Sequence, residues 1–256
     1  MKLLTLDIGN TNVKAGLFED NIISQTGKFA ADDSLQNNLS SFKFDSCAIS
    51  SVVPSVTLQI KSILEKDFGI NPFIITNKSV FSISNKYKTP ETLGIDRICC
   101  AEGAIKFLSK SNNFSENDFI MTVDFGTATT INIVEYPSVF LGGAIAPGIK
   151  LMIDALNRDT AQLPRIDIKD YEDVIGTSTN TSIASGVVNS VRGMVEQLID
   201  YLQDVKSANN IYIFITGGNA QSIKPFFNFN YFYEPDLILH GINSIYLLNN
   251  FPKADK

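Results

Sequence analysis

Residues 5–18, TLDIGNTNVKAGLF, and residues 122–135, TVDFGTATTINIVE, decide the reading of this chain. They align without a gap at an offset of 117, pairing Asp7 with Asp124, Gly9 with Gly126 and Thr11 with Ala128. Each is an apolar strand, an Asp-x-Gly turn of small hydroxyl or amide residues, and a second apolar strand. Leu4, Leu6 and Ile8 alternate, and Val13 to Phe18 returns as the second arm of a hairpin. A repeat of this kind marks two duplicated subdomains, not a short solenoid period.

Outward from the hairpins, FDSCAISSVV reads as a strand, Pro54 opens a helix to about Asp67, and NPFIITN reads as a short strand. Residues 78–92 are polar and read as loop. IDRICCAEGAIKFLSK has helical spacing at Ile95, Ile98, Ala101, Ile105 and Leu108. SNNFSEN, residues 111–117, reads as a linker, which divides the chain into subdomains 1–115 and 118–256. In the second half, FLGGAIAPGI reads as a Gly/Pro-rich stretch after a strand, and residues 180–205 as a long amphipathic helix. IYIFITGGNA reads as a buried strand, FNFNYFYEP as an alternating aromatic strand, and LILHGINSIYLLNNF as a closing helix.

Composition excludes several functions. With 21 basic and 27 acidic side chains the net charge is −6, so no basic excess exists to neutralise a nucleic-acid backbone. No apolar run approaches the ~18 residues of a membrane span, and Asp7 arrives too early for a secretory leader. The cysteines, Cys47, Cys99 and Cys100, make no disulfide framework and no CxxC zinc motif, so a cytoplasmic protein is expected. Cys99 and Cys100 read as small residues packed inward on their helix. The sole histidine, His240, reads as a residue at the edge of the closing helix, which leaves general-base work to carboxylates.

Three strands end in small glycine-containing turns, DIGNTN, DFGTAT and ITGGNA. Such turns suit phosphate, because glycine lets backbone N–H groups approach an anion and Asn and Thr add donors. Asp7 and Asp124 fit beside phosphate only with a cation between, Mg2+ or a monovalent ion. No GxxxxGK[ST] motif is present, so this is not a P-loop. Asp96 and Arg97 stand where a loop enters a helix. They read either as a helix cap with a surface ion pair, or as a proton acceptor beside an arginine clamp for an anionic substrate. Together with the turns, the second reading describes phosphoryl transfer to an alcohol. An Asp of reference pKa about 3.9 is a weak base, tolerable because this transfer is largely dissociative.

The motif set resembles the acetate and sugar kinase, Hsp70 and actin superfamily, and within it the type III pantothenate kinases. DIGNTNVK, Tyr87 to Arg97 with its GxDR end, DFGTATT, GGAIAPG, IGTSTNTSIASG and TGG carry the resemblance in family order, over residues 7 to 218. It implies an α/β fold of two duplicated ribonuclease H-like, actin-like ATPase subdomains, each a mixed five-stranded sheet flanked by helices. It implies ATP-dependent phosphorylation of pantothenate to 4′-phosphopantothenate, the first step of coenzyme A biosynthesis. By position, Asp7, Ile8, Gly9, Asn10, Thr11, Asn12, Val13 and Lys14 would form the ATP phosphate loop, and Thr127 would contact ATP. Asp96 would accept the proton. Tyr87, Gly94, Ile95, Asp96, Arg97 and Thr179 would form the pantothenate pocket. Asp124 would bind potassium or ammonium, beside the Mg2+ that accompanies ATP. The resemblance also implies a homodimer, to which the 180–205 helix contributes.

This chain departs from the family pattern at three places. IGTSTNTSIASG lacks the usual Ala-Met-Gln, Ile95 stands for the commoner alanine, and Lys14 stands where an apolar residue is frequent. The same residues also admit a non-catalytic nucleotide- or pantothenate-binding regulator, an actin-like filament protein, or a kinase for another small alcohol.

Overall fold

The structure is a computed structural model that describes residues 1–32, 34–109 and 115–251; positions 111–114 of the expected linker lie outside the described residues. The elements of the first half are β1 Lys2–Ile8, β2 Val13–Glu19, β3 Ile22–Phe29, α1 Leu35–Ser40, β4 Ser46–Ser51, α2 Pro54–Asp67, β5 Phe73–Ile74, β6 Ser84–Asn85 and α3 Ile95–Leu108. Those of the second are β7 Phe119–Phe125, β8 Ala128–Glu135, β9 Val139–Pro147, α4 Ile149–Asp159, α5 Thr179–Asp204, β10 Ile211–Thr216, α6 Ala220–Ile223, β11 Phe232–Tyr233 and α7 Leu237–Asn250. Among the described residues no helix is long and apolar enough to cross a membrane.

These elements gather into two units. The first takes the described residues up to 109, with 138–140 and those from 236 on; the second takes 115–137 and 141–235. The terminal helix α7, expected in the 118–256 subdomain, therefore packs with the first unit. The reason is a close helix crossing. A Cβ on Gly241 would lie 1.8 Å from the Cys99 carbonyl oxygen, and one on Gly103 would lie 2.2 Å from that of Leu237. Both glycines let α3 and α7 meet backbone to backbone.

The first unit holds a sheet of order β3-β2-β1-β4-β5, with β1 antiparallel to β2 and parallel to β4. The strand period of two splits its core into layers. Leu4, Leu6 and Ile8 of β1 join Val13, Ala15 and Leu17 of β2 against Leu35, Leu39, Ile60 and Leu64. Leu3 and Phe18 face the other way, toward Cys99 and Cys100 of α3 and Leu239, Ile242 and Ile245 of α7. The start of β9, residues 138–140, clusters with this unit, where β6 pairs with it in parallel. His240, on α7, stacks edge-on against Phe18, with centroids 5.3 Å apart.

The second unit repeats the order as β9-β8-β7-β10-β11, with β7 antiparallel to β8 and parallel to β10. The duplication is borne out, but its gapless register is not. Asp7 faces Lys14 across the first hairpin, whereas Asp124 faces Thr130 across the second, so the second turn is one residue shorter. The closing bonds show where: Gly9 N–H reaches the Asn12 carbonyl, but Gly126 N–H reaches that of Ala128. Beyond the turn the burial pattern of Val13–Glu19 recurs residue for residue at Thr129–Glu135.

Two other expectations are corrected. LGGAIAP, read as a Gly/Pro-rich stretch after a strand, is itself the body of β9. Gly143, at φ +156, lies so close to its neighbour that a Cβ would meet the Ile131 carbonyl oxygen at 1.8 Å. FNFNYFYEP is not one strand, since only Phe232–Tyr233 pairs with β10. Phe227 and Phe229 instead pack tilted against each other, with Phe227 stacked on Phe125 in the core. The edge strand β3 and helix α4 have no counterpart in the sequence reading. α2 begins and ends as expected, and α5 starts at Thr179 behind a capping box of Ser178 and Thr181.

Candidate active site

In the first unit, β1 carries Asp7 to the top of the sheet, where it is half-buried opposite Lys14 and Ser50. Of the expected phosphate loop, Ile8 and Val13 are fully buried core residues, so only their main chain can meet a ligand. Asn10 and Thr11 are exposed at the tip, and the Lys14 ammonium lies 3.1 Å from Asp236.

α3 supplies the other half of this site. Gly94 is its N-cap, Ile95 begins it, and half-buried Asp96 sits in its first turn, its Oδ1 accepting the Arg97 N–H at 2.9 Å. Arg97 is only 5% exposed. Its guanidinium carbon lies 5.6 Å from the Tyr87 ring centroid and 5.7 Å from that of Phe140, and the two rings meet edge to face. An arginine so flanked lies in a weakly hydrated place, suited to a carboxylate partner. Cys99 shows how the acidic groups converge. Its thiol is pushed up mainly by burial, and the charges of Asp7, Asp96 and Glu102 push it further. This buried thiol is inert, and Cys100 beside it is buried as well, as expected.

In the second unit, Asp124 lies one residue before the end of β7, opposite Thr130 and Thr216. Gly217, at φ +98, leaves room that a Cβ would take, 2.3 Å from Asp124 Oδ1. Asn219 brackets the turn, its N–H on the Phe125 carbonyl at 2.9 Å and its Nδ2 on that of Gly126 at 3.1 Å. Gly148 N–H donates to the carbonyl of exposed Thr127 at 3.0 Å. Among the described residues no cluster of three or more His, Cys, Asp or Glu side chains can hold a metal. A cation here would therefore take one carboxylate plus hydroxyl, carbonyl and phosphate oxygens, which fits hard ions such as Mg2+ or potassium. Thr179, at the start of α5, lines an apolar groove of about 1070 Å³ together with Leu151 and Met152 of α4 and Ile183 and Val187 of α5.

The sequence model of the type III pantothenate kinases matches residues 3–201. The chain belongs to the type III pantothenate kinase family. A relative of that description from Legionella pneumophila (strain Corby) is 34% identical over 264 residues, covering 96% of this chain and 99% of its own. Among solved structures, a Baf family protein from Campylobacter jejuni superposes with a TM-score of 0.62 at 22% identity, over 98% of this chain and 100% of its own. A ROK family glucokinase from Streptomyces griseus, solved with glucose and AMPPNP, does so with 0.50 at 10% identity, over 94% and 98%. These likenesses bear out the duplicated ribonuclease H-like fold.

Of the residues that the pantothenate kinase resemblance singles out, the first unit brings Tyr87, Gly94, Ile95, Asp96 and Arg97 to one end of α3. Sequence reading gave no role to Phe140, nor individually to Asn219 of ITGGNA or Gly148 of GGAIAPG. Phe140 lies far from Arg97 in sequence and meets it only through the pairing of β6 with β9. Asn219 was in view within ITGGNA, yet its grip on Gly126 needs the parallel pairing of β7 with β10.

Proposed function

We propose that Asp96 takes the hydroxyl proton of pantothenate as this family's reaction proceeds, ATP and pantothenate giving 4′-phosphopantothenate and ADP. The hydroxyl oxygen bonds to the γ-phosphorus, the bond from that phosphorus to the bridging oxygen of ADP breaks, and the proton passes to the carboxylate. The transfer is loose in character, so the proton leaves late and positioning outweighs basicity. The observation that supports this reading best is the join of Asp96 to buried Arg97 under the Tyr87 ring, in a chain of this family. Arg97 would hold the pantothenate carboxylate and Tyr87 cover it.

The Asp7–Lys14 turn and Thr127 would hold the ATP phosphates by backbone N–H and hydroxyl groups. Asp124 would anchor a monovalent cation. Mg2+ bound with ATP would shield the phosphate charge. Two copies would pair over the apolar groove of α4 and α5, where Leu151 is exposed and Thr179 stands. Sedimentation would then find a dimer, and a monomer at working concentration would remove this part.

The deciding experiment measures ADP release with Mg2+ and potassium, with and without pantothenate. Pantothenate-dependent ADP is expected, falling about a thousandfold in Asp96→Asn, within the range of general-base deletions. Unchanged turnover in that variant would sink the role of Asp96. No pantothenate-dependent ADP from folded protein would favour a regulator or another acceptor alcohol.

A further inference from the structure

Glu102 has no part in the chemistry above, yet it is a charged residue only 1% exposed. It lies on α3, the helix that begins with Asp96 and Arg97. Its Oε1 accepts the N–H of Ser82 at 2.6 Å and of Ile83 at 3.1 Å, and its Oε2 accepts the Ser82 hydroxyl at 2.5 Å. From that grip the chain is held stepwise to Tyr87. Ser84 N–H donates to the Ser138 carbonyl at 2.7 Å and Lys86 N–H to that of Phe140 at 3.0 Å. Tyr87 N–H donates to Asn85 Oδ1 at 2.8 Å. The Tyr87 ring then meets Phe140 and the Arg97 guanidinium.

A buried carboxylate costs desolvation energy that an apolar side chain would not, so packing alone does not account for it. Its three hydrogen bonds do what an apolar contact cannot. They set the register of residues 82–83 on α3, and through β6 the placement of Tyr87.

We propose that Glu102 is a positioning residue, which holds Tyr87 against Arg97 by gripping Ser82 and Ile83 and so tunes the affinity for the anionic acceptor. This rests on the reading that Tyr87 and Arg97 hold pantothenate.

Steady-state kinetics on the full chain test it with Glu102→Ala, Glu102→Gln, Ser82→Ala and, as the site control, Arg97→Lys. Glu102→Ala should raise the pantothenate KM about tenfold and leave the ATP KM within about twofold, the size of one or two lost positioning bonds. Ser82→Ala should move the pantothenate KM the same way by about threefold. Glu102→Gln should stay near wild type, because its Oε1 still accepts both N–H groups and its amide donates to Ser82. An unchanged pantothenate KM in Glu102→Ala, a parallel rise in both KM values, or no rescue by glutamine overturns the proposal. If Glu102→Ala fails to fold, Ser82→Ala decides, and no change there overturns it. The underlying site reading fails by a different sign: Arg97→Lys leaves the pantothenate KM unmoved, and the positioning argument then falls with it.

Discussion

Lys14 stands directly opposite Asp7 across the first hairpin, and its ammonium lies 3.1 Å from the carboxylate of Asp236. Both members of the ion pair are partly buried, so it should carry more than a surface pair does. Lys14→Met and Asp236→Asn should each lower the urea unfolding free energy by about 1 kcal/mol. Only Lys14→Met should also raise the ATP KM, since Lys14 belongs to the proposed phosphate loop. An equal ATP effect from both variants would place the lysine's role in the ion pair alone.

Asp124 has hydroxyl residues, Thr130 and Thr216, across from it on both neighbouring strands, and the first hairpin puts a lysine at the matching place. Asp124→Asn should therefore abolish a preference for potassium over sodium and slow turnover about tenfold or more. Initial rates in the two chlorides check this. A wild-type enzyme indifferent to the salt would remove the cation from Asp124.

Glycine substitutions should change stability with opposite signs. Gly103→Ala or Gly241→Ala would drive a methyl into a main-chain carbonyl and force α3 from α7. A loss of about 3 kcal/mol or more is expected, and with it loss of the Asp96 geometry. Gly193, exposed on α5, has nothing within 4 Å of an added Cβ. Gly193→Ala should stabilise by about 0.5–1 kcal/mol, from helix propensity alone. Denaturant midpoints of the three variants settle both signs.

Burial raises the Glu102 carboxyl above its ordinary value of 4.5, against hydrogen bonds from Ser82 and Ile83 that lower it. Cys99, the titratable neighbour that feels this charge, is kept neutral by its own burial. A raised folded-state value means that the folded chain keeps the proton where the unfolded chain has lost it. The matching stability is fully present below 4.5 and fades as pH rises through the raised value. Glu102→Gln lacks this titration. Its unfolding free energy should gain on wild type as pH rises above 4.5 and through the raised value. A gap that stays constant as pH rises above 4.5 would contradict the burial argument.

Much of the fold was legible in alternation. Leu4, Leu6 and Ile8 named their own face, and the Asp-x-Gly turns named both hairpins. The register of the repeat was not legible, because one residue lost inside a polar turn leaves no hydrophobic trace. β3 escaped because IISQTGKF is an edge strand largely exposed to solvent, its apolar alternation broken by Gln25 and Gly27 between Ile23 and Phe29. β9 was hidden by Gly142 and Gly143, which read as part of a Gly/Pro-rich stretch after a strand, although Gly143 reflects close strand packing. The candidate site was legible where its residues are neighbours in sequence, as from Gly94 to Arg97. Phe140 and Glu102 were not, since their roles exist only once β6 lies beside β9 and residues 82–83 lie on α3.

The packing of α7 in the first unit bears on how the chain reaches this state. Leu3 of β1 and Leu239 of α7 share a core although most of the chain separates them, whereas the second unit draws its main core from the span between Phe119 and Phe227. Contacts close in sequence form before distant ones, which must first close a long loop. The second unit should thus condense first, while the helix bearing Asp96 waits for its cover. Cys99 and Cys100 are both sealed in that late layer. Their loss of reactivity toward a thiol reagent during refolding would time the moment at which the helix that begins with Asp96 is finally enclosed.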